Sequence, residues 1–338
     1  MGVYSQELDN MVKWEKSRAP FYEVYFIKLN WADFSRALWL RYTLLAPKRG
    51  LGTPSASVWG MYYDAKQPEN NIAVKETISI EQTLIDRDIF YFQIQDSAIY
   101  NSGARGRVSS GGHEMQWDFQ FPHNEETFRL YPTIFYYLPF PKTKLLSPNW
   151  SVEPKGELKL DKTTIPCPAS RACQSHLWGT SHAERWAWAH CNTFVEDESA
   201  VFEALTAQVR VGKKLLRPLT VLALRWKGGP MLTFNRVVQW LTTKSDYNLD
   251  GWSLLAERGH WRVQIRIENQ IQQMLGVTYT DTDGAKLYCY HAETAAVRVE
   301  IFSSRGGKWQ SVKTLTSPLA GAYEIVERTP LPGMKVHL

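Results

Sequence analysis

The feature that most limits what this chain can fold into is the recurrence, nearly end to end, of short aromatic and β-branched segments cut by Gly, Pro or polar stretches. "FYEVYFIKLN", "LWLRYTLLAP" and "SVWGMYYDA" open the series, and "RDIFYFQIQD", "HEMQWDFQF", "TVLALRW", "MLTFNRVVQW", "HWRVQIRIENQ", "KLYCYHAETAAVRVEIF" and "AYEIVER" continue it. In one of them Trp261, Val263, Ile265 and Ile267 alternate with Arg262, Gln264, Arg266 and Glu268, the period of a strand with one wet face. "KGGP" near 229, "DTDG" near 283 and "RGGK" near 306 supply hairpin turns. Helical patterns are confined to "SQELDNMVKWEKS" and "ESAVFEALTAQV". Many short strands with little helix predict an all-β protein built from sandwiches or barrels.

A chain of 338 residues exceeds what one hydrophobic core usually supports, so two domains are expected. Six prolines from "LPFPKTKLLSPNW" through "TTIPCPAS" mark a connecting region. The junction is placed near residue 165, giving an N-terminal β domain over 1–165 and a C-terminal one over 166–338.

Hydrophobic residues, at 44%, are ordinary, but aromatics at 13%, with 14 Trp, are not. The formal charge of +5 is scattered, and the densest basic stretch, "VGKKLLRP", holds three basic residues; this excludes a nucleic-acid footprint. No apolar run reaches membrane-spanning length, and the N-terminus lacks a basic and then apolar leader. A cytoplasmic protein is expected, with peripheral contact with a membrane left open. Gly2 does not make an acylation signal, because Gln6 stands where Ser or Thr is required. Cys167, Cys173, Cys191 and Cys289 are expected to be free thiols.

The most unusual run is "SHLWGTSHAERWAWAHCNTF", residues 175–194. Read with period two, its second half sorts bulky Trp186, Trp188, His190 and Asn192 from small Ala187, Ala189 and Cys191, which predicts an extended segment. Its bulky face suits the wall of a pocket for an apolar ligand with one or two polar groups. The same pattern also describes a core strand whose His and Asn are satisfied by neighbouring backbone.

Four landmarks in fixed order, "FYEVYFIKLN" with "LWLRYTLL", "GGHEMQWDFQF", "HLWGTSHAERWAWAHCNTF" and "YTDTDGAKLYC", carry a resemblance. The chain is similar to the two-domain lipocalin-like superfamily of carotenoid 1,2-hydratases, tocopherol cyclases and fungal Diels-Alderases. The resemblance implies two tandem lipocalin-like (calycin-type) antiparallel β-barrels with a hydrophobic ligand in or between them. It leaves the reaction open, since members hydrate, cyclise, run cycloadditions or have no known activity. Hydratases of the group use a His-x-Trp and a Tyr-x-Asp pair, matched here by His176 with Trp178 and by Tyr279 with Asp281.

The candidate catalytic residues are therefore Asp281, His176 and His190, any of which could protonate a double bond if suitably charged. Asp281 also sits before the "TDG" turn, where an aspartate commonly serves the backbone. Candidate ligand-binding residues are Trp178, Trp186, Trp188, Asn192, Tyr279, Trp117, Trp39, Glu23 and Arg41. Glu23 and Arg41 would face each other if their strands pair as a hairpin, as an ion pair or as a ligand-orienting pair. The spacing of His176, His182 and His190 does not read as a metal site, and no nucleotide- or phosphate-binding motif is present. The expectation is an enzyme of hydratase or cyclase type, needing no cofactor, for an isoprenoid or polyketide-like molecule. The alternative is a non-catalytic carrier of such a hydrophobe.

Overall fold

A computed structural model describes residues 5–122, 127–167 and 170–338; Gly2, and Pro168 and Ala169 of the proline-rich connection, lie outside them. The regular structure of the described residues is nearly all β, its strands paired antiparallel in three large sheets. In the first, the order is Phe128–Arg129, Thr143–Val152, Arg171–Gly179, Phe21–Asn30, Arg36–Ala46, Ser55–Asp64 and Ile72–Ser79. A second seven-stranded sheet runs from Thr163–Pro166 through Lys155–Leu160 and His113–Gln120 to Thr83–Ile85. These two pack face to face, with Tyr25, Ile27, Leu40 and Tyr42 meeting Phe92, Ile99, Met115, Trp117 and Phe119.

The third sheet has ten strands and is built around a long hairpin, Lys286–Arg305 with Lys308–Glu327. Its register shifts between Ala292 and Val297, and such irregularities bend a strand and add twist. The hairpin thus serves two neighbourhoods: residues 296–303 pair with Trp261–Glu268, and 286–291 pair with Leu275–Thr280. Gly321 lies opposite the bend; a Cβ there would meet Val297 Cγ2 at 2.4 Å and Ala295 O at 2.9 Å. Ala187, Phe202, Leu222, Val263, Tyr290 and Ile325 are among the residues buried inside this sheet.

The lipocalin-like, all-β architecture is the one expected, but the strands do not close into barrels. Among the described residues each sheet path ends in two edge strands. Closure is replaced by covering: all ten residues of Phe21–Asn30 are buried, one face against the second sheet and the other against the C-terminal unit. That second contact is a third apolar cluster, bringing Phe26, Trp39, Trp59 and Tyr63 onto Trp188, Val201, Tyr279 and Cys289.

Two local readings are corrected. "ESAVFEALTAQV" is the strand Val201–Gln208, not a helix; Val201 and Leu205 face the third cluster while Phe202 and Ala204 face the C-terminal core. "MLTFNRVVQW" begins as the strand Leu232–Phe234 and then turns into the helix Val237–Thr242, which buries Trp240. The strand beyond the expected junction, Arg171–Gly179, is hydrogen-bonded inside the N-terminal sheet, and the chain reaches the C-terminal sheet at Arg185. We propose that the two β units exchange in this segment, close to the 1–165 and 166–338 division.

Candidate functional site

Even-numbered residues of Phe21–Asn30 face away from the N-terminal core, and residues 39 and 41 of the neighbouring strand share that outward face. Across from them, alternation in Arg185–Cys191 sends Trp186 and Trp188 outward and Ala187, Ala189 and Cys191 into the C-terminal core. Between the two faces lies a cleft of about 500 Å³, within the usual range for a small-molecule site of roughly 300–1,000 Å³. Its apolar walls are Val24, Phe26, Trp39, Leu145, Leu177, Trp186, Trp188 and Leu205. Its polar groups include Arg41, Tyr279, Glu324, Asp281 with His182, and Glu184 with Arg210.

The polar wall is organised around Glu324. Trp186 Nε1 donates to its Oε1 at 2.6 Å, and Tyr279 Oη donates to its Oε2 at 3.2 Å. His291 Nδ1 lies 3.3 Å from Oε2, and His291 Nε2 lies 2.8 Å from Glu293 Oε1. Both ring nitrogens thus face carboxylates, an arrangement that only imidazolium satisfies. Burial would lower the pKa of His291, but the hydrogen bonds and charges of Glu293 and Glu324 outweigh it and raise it to about 9. Burial would raise that of Glu324, but His291, Trp186 and Arg41 bring it down to about 2. Tyr279 is a protonated phenol, its pKa pushed well above 10 by burial and by Cys289 and Glu324. Cys289 Sγ, His291 Nδ1 and a Glu324 oxygen lie within 4.8 Å of one another, a ligand set that could converge on a cation. In this structure they bond to each other, the thiol donating to Glu324 Oε2 at 3.3 Å.

The expected site residues divide into three groups. Trp39, Arg41, Trp186, Trp188, Tyr279 and Asp281 line the cleft together. His190 and Asn192 lie behind it: His190 Nε2 is 3.1 Å from Trp150 O, and Asn192 Oδ1 accepts from Lys28 Nζ at 3.2 Å. His176, Trp178, Glu23 and Trp117 belong to the N-terminal unit, away from the cleft. His176 Nε2 is 2.8 Å from Glu23 Oε1, Trp178 packs on the N-terminal core, and Trp117 Nε1 donates to Tyr42 Oη inside that core.

Three expectations need correction. Glu23 and Arg41 are not partners: the register sets Glu23 opposite Leu44 and Arg41 opposite Phe26, on opposite faces of the sheet. Asp281 does not sit in surroundings that keep a carboxyl protonated. Burial raises its pKa, but the His182 ring, 2.9 Å away, and the Thr282 and His182 backbone N–H groups more than reverse this, leaving it well below the usual range; Arg328 Nη2 adds a contact at 3.0 Å. His190 is no acid either, since burial and the charge of Lys28 drive its pKa well below 6.5.

The residues missed are Glu324, His291, Glu293 and His182. A signal existed for two of them: in "CYHAE", Cys289, His291 and Glu293 recur at every second position of a strand, on the face shared with Leu287. Glu324 alternates with Ala322 and Val326 on an otherwise apolar face. Its pairing with His291 is a cross-strand relation that the order of residues does not display.

Comparison with known proteins agrees with this architecture. Uncharacterized proteins Rv0493c and MT0513 of Mycobacterium tuberculosis are each 27% identical over 163 residues, 46% of this chain and 45% of theirs. The chain thus aligns with under half the length of these relatives. Among solved structures, an AttH protein (NE1406) from Nitrosomonas europaea superposes with a TM-score of 0.53 at 11% identity, covering 91% of this chain and 92% of that one. CghA with Sch210972 gives a TM-score of 0.54 at 9% identity, covering 91% and 88%. Likeness at such identity concerns the fold. The family model described as tocopherol cyclase-like matches residues 151–325, over half of the sequence and including both the Trp186–Trp188 wall and Glu324, and the chain belongs to that family.

Proposed function

We propose that the cleft between the two β units binds a hydrophobic isoprenoid or polyketide-like molecule and that the protein is an enzyme of the cyclase or cycloaddition type. The observation that carries this reading is the meeting of three indoles, Trp39, Trp186 and Trp188, with the ionised carboxylate of Glu324 in a cleft of about 500 Å³. Walls of this kind fold a flexible chain so that its reacting carbons approach, which removes much of the entropic barrier to ring closure. Indole faces stabilise a developing positive charge by about 0.5–2 kcal/mol each. Glu324, held ionised by His291, is placed to stabilise the same charge. That charge arises as the alkene of a prenylated quinol gains a proton from solvent, and the quinol hydroxyl returns one proton as its C–O bond forms, so ring closure is a net isomerisation. Asp281, paired with His182 and Arg328, orients the rim of the cleft and is not a proton donor. Membership in the tocopherol cyclase-like family and the fold shared with CghA, whose solved structure holds Sch210972, support the reading.

The test is product formation. Linear prenylated quinols and polyene substrates are incubated with the purified protein and analysed by mass spectrometry and chromatography against cyclised standards. Cyclised product from the wild type, with kcat lowered roughly 100-fold or more in Glu324→Gln, is the expected result. Saturable binding without product in any series would make the protein a carrier instead.

A further inference from the structure

Arg41 is a buried cation whose charge no carboxylate answers at close range. It is 6% exposed and lines the cleft. Its Nε donates to Thr43 Oγ1 at 3.0 Å, and its guanidinium carbon lies 3.8 Å from the centre of the Tyr279 ring, with Trp39 and Trp59 each at 5.7 Å. Among the described residues no carboxylate stands within 4.0 Å of it. Of the acids that line the cleft, Glu324 is hydrogen-bonded to His291 and feels Arg41 only as a charge at longer range, Asp281 is paired with His182 and Arg328, and Glu184 is paired with Arg210; Asp283 also lines it. An arginine presents five N–H donors in a planar fork, and among the described residues only the one on Nε is used. Burying such a group is costly unless an acceptor meets it.

A second cation deepens the imbalance. Lys75, opposite Trp59 on the adjacent strand, holds its ammonium 3.9 Å from the centre of the same indole that Arg41 approaches from 5.7 Å. Burial and the charge of Arg41 bring its pKa down to about 8, the behaviour of a cation in a positive local potential. Two cations on one aromatic cluster, with no carboxylate among the described residues within 4.0 Å of either, form a place prepared for an anion or a strongly polarised oxygen.

We propose that Arg41 is the docking point for an acidic oxygen group on the ligand, a carboxylate or an ionised enol, so that the cleft selects apolar molecules carrying one such group at one end. This rests on the cleft being the ligand site. The fork of Arg41 then fixes one end of the molecule by charge-assisted hydrogen bonds. The apolar remainder runs along Trp39, Trp186 and Trp188, past Glu324. The group thus sets which carbons reach the Glu324 wall, and a ligand lacking it would slide in the cleft.

Three probes with one polyene skeleton, retinoic acid, retinol and methyl retinoate, test the assignment by quenching of tryptophan fluorescence. The wild type is expected to bind the acid at least about ten-fold more tightly than the ester or the alcohol. Arg41→Met removes that preference by weakening the acid alone, and Arg41→Lys retains part of it. Equal wild-type affinity for acid and ester overturns the assignment while leaving the cleft as the binding site, and this comparison needs no variant. An acid preference that survives in Arg41→Met overturns it as well. Binding of none of the three overturns the cleft reading and the assignment with it.

Discussion

His291 Nδ1 stands 3.3 Å from Glu324 Oε2, the two residues being direct partners across the long hairpin. Glu293 Oε1 holds the other ring nitrogen at 2.8 Å, so a single buried imidazolium bridges two carboxylates. Removing it leaves both acids without their cation in a dry place. His291→Gln is therefore expected to cost about 3–5 kcal/mol, measured by urea unfolding near pH 6.

The same pair makes stability depend on pH at both ends. The folded pKa of His291 is raised from 6.5 to about 9, so its contribution is complete below pH 6.5 and is lost as pH rises through 9. That of Glu324 is lowered from 4.5 to about 2, so its contribution is complete above pH 4.5 and is lost as pH falls toward 2. These shifts are one interaction seen from two sides and are not summed. Unfolding curves should show the largest difference between wild type and His291→Gln from pH 4.5 to 6.5, narrowing on either side. A difference that grows steadily to pH 9 would contradict a charged His291.

Glu203 behaves oppositely. Trp188 Nε1 donates to its Oε1 at 3.1 Å, but its buried Oε2 has no hydrogen-bond partner among the described residues, and burial raises its pKa from 4.5 to about 7. A carboxyl so raised favours the fold while protonated, fully below pH 4.5, and this advantage is lost as pH rises through 7. Glu203→Gln should therefore stabilise the protein by about 1–3 kcal/mol at pH 8 and change little at pH 5. Thermal melts at the two pH values decide it, and equal effects at both would show that Glu203 is ionised throughout.

How far these relationships were visible in the order of residues depends on their range. The alternation of Trp186, Trp188 and His190 with Ala187, Ala189 and Cys191 is local, and it correctly announced an extended segment with its bulky and small residues on opposite faces. The turns at 229, 283 and 306 were equally local and do join paired strands. Register was not local. Arg41 is three positions from Leu44, the true partner of Glu23, and an odd offset moves a side chain to the opposite face. That offset sends Glu23 to His176 and Arg41 to the cleft, against the Tyr279 ring. His182, in the link between Arg171–Gly179 and Arg185–Cys191, and Asp281, just after Leu275–Thr280, are 2.9 Å apart, and nothing short of the assembled sheets brings them together.

Glu23 accepts hydrogen bonds from the Lys13 and Trp14 backbone N–H groups and from Tyr25 Oη, and His176 completes its shell. This knot ties the segment after the opening helix Ser5–Asn10 to the sheet. Burial lowers the pKa of His176 below 6.5, so His176→Ala removes a hydrogen bond and should cost about 1–3 kcal/mol while retinoid quenching in the folded protein is unchanged. A stable variant with its turnover reduced a hundred-fold would return His176 to the catalytic role that the His-x-Trp pattern implies.

Neighbouring alanines on one strand separate the cleft from the core. Ala207 pairs with Trp186 and lines the cleft, half-buried at its wall, whereas Ala204, three residues back, is fully buried in the C-terminal core. An odd number of positions places their side chains on opposite faces. Ala207→Trp sets an indole into the cleft of about 500 Å³ and should weaken retinoid binding ten-fold or more, with a melting temperature within a few degrees of wild type because no packed core is disturbed. Ala204→Trp forces the same group among Phe202, Leu222 and Tyr323, where overpacking costs about 1–3 kcal/mol or more, and should lose stability while any protein that folds keeps its ligand affinity. Fluorescence titration and melting of the pair therefore locate the ligand. Undiminished binding in Ala207→Trp would move the site out of the space between the two units.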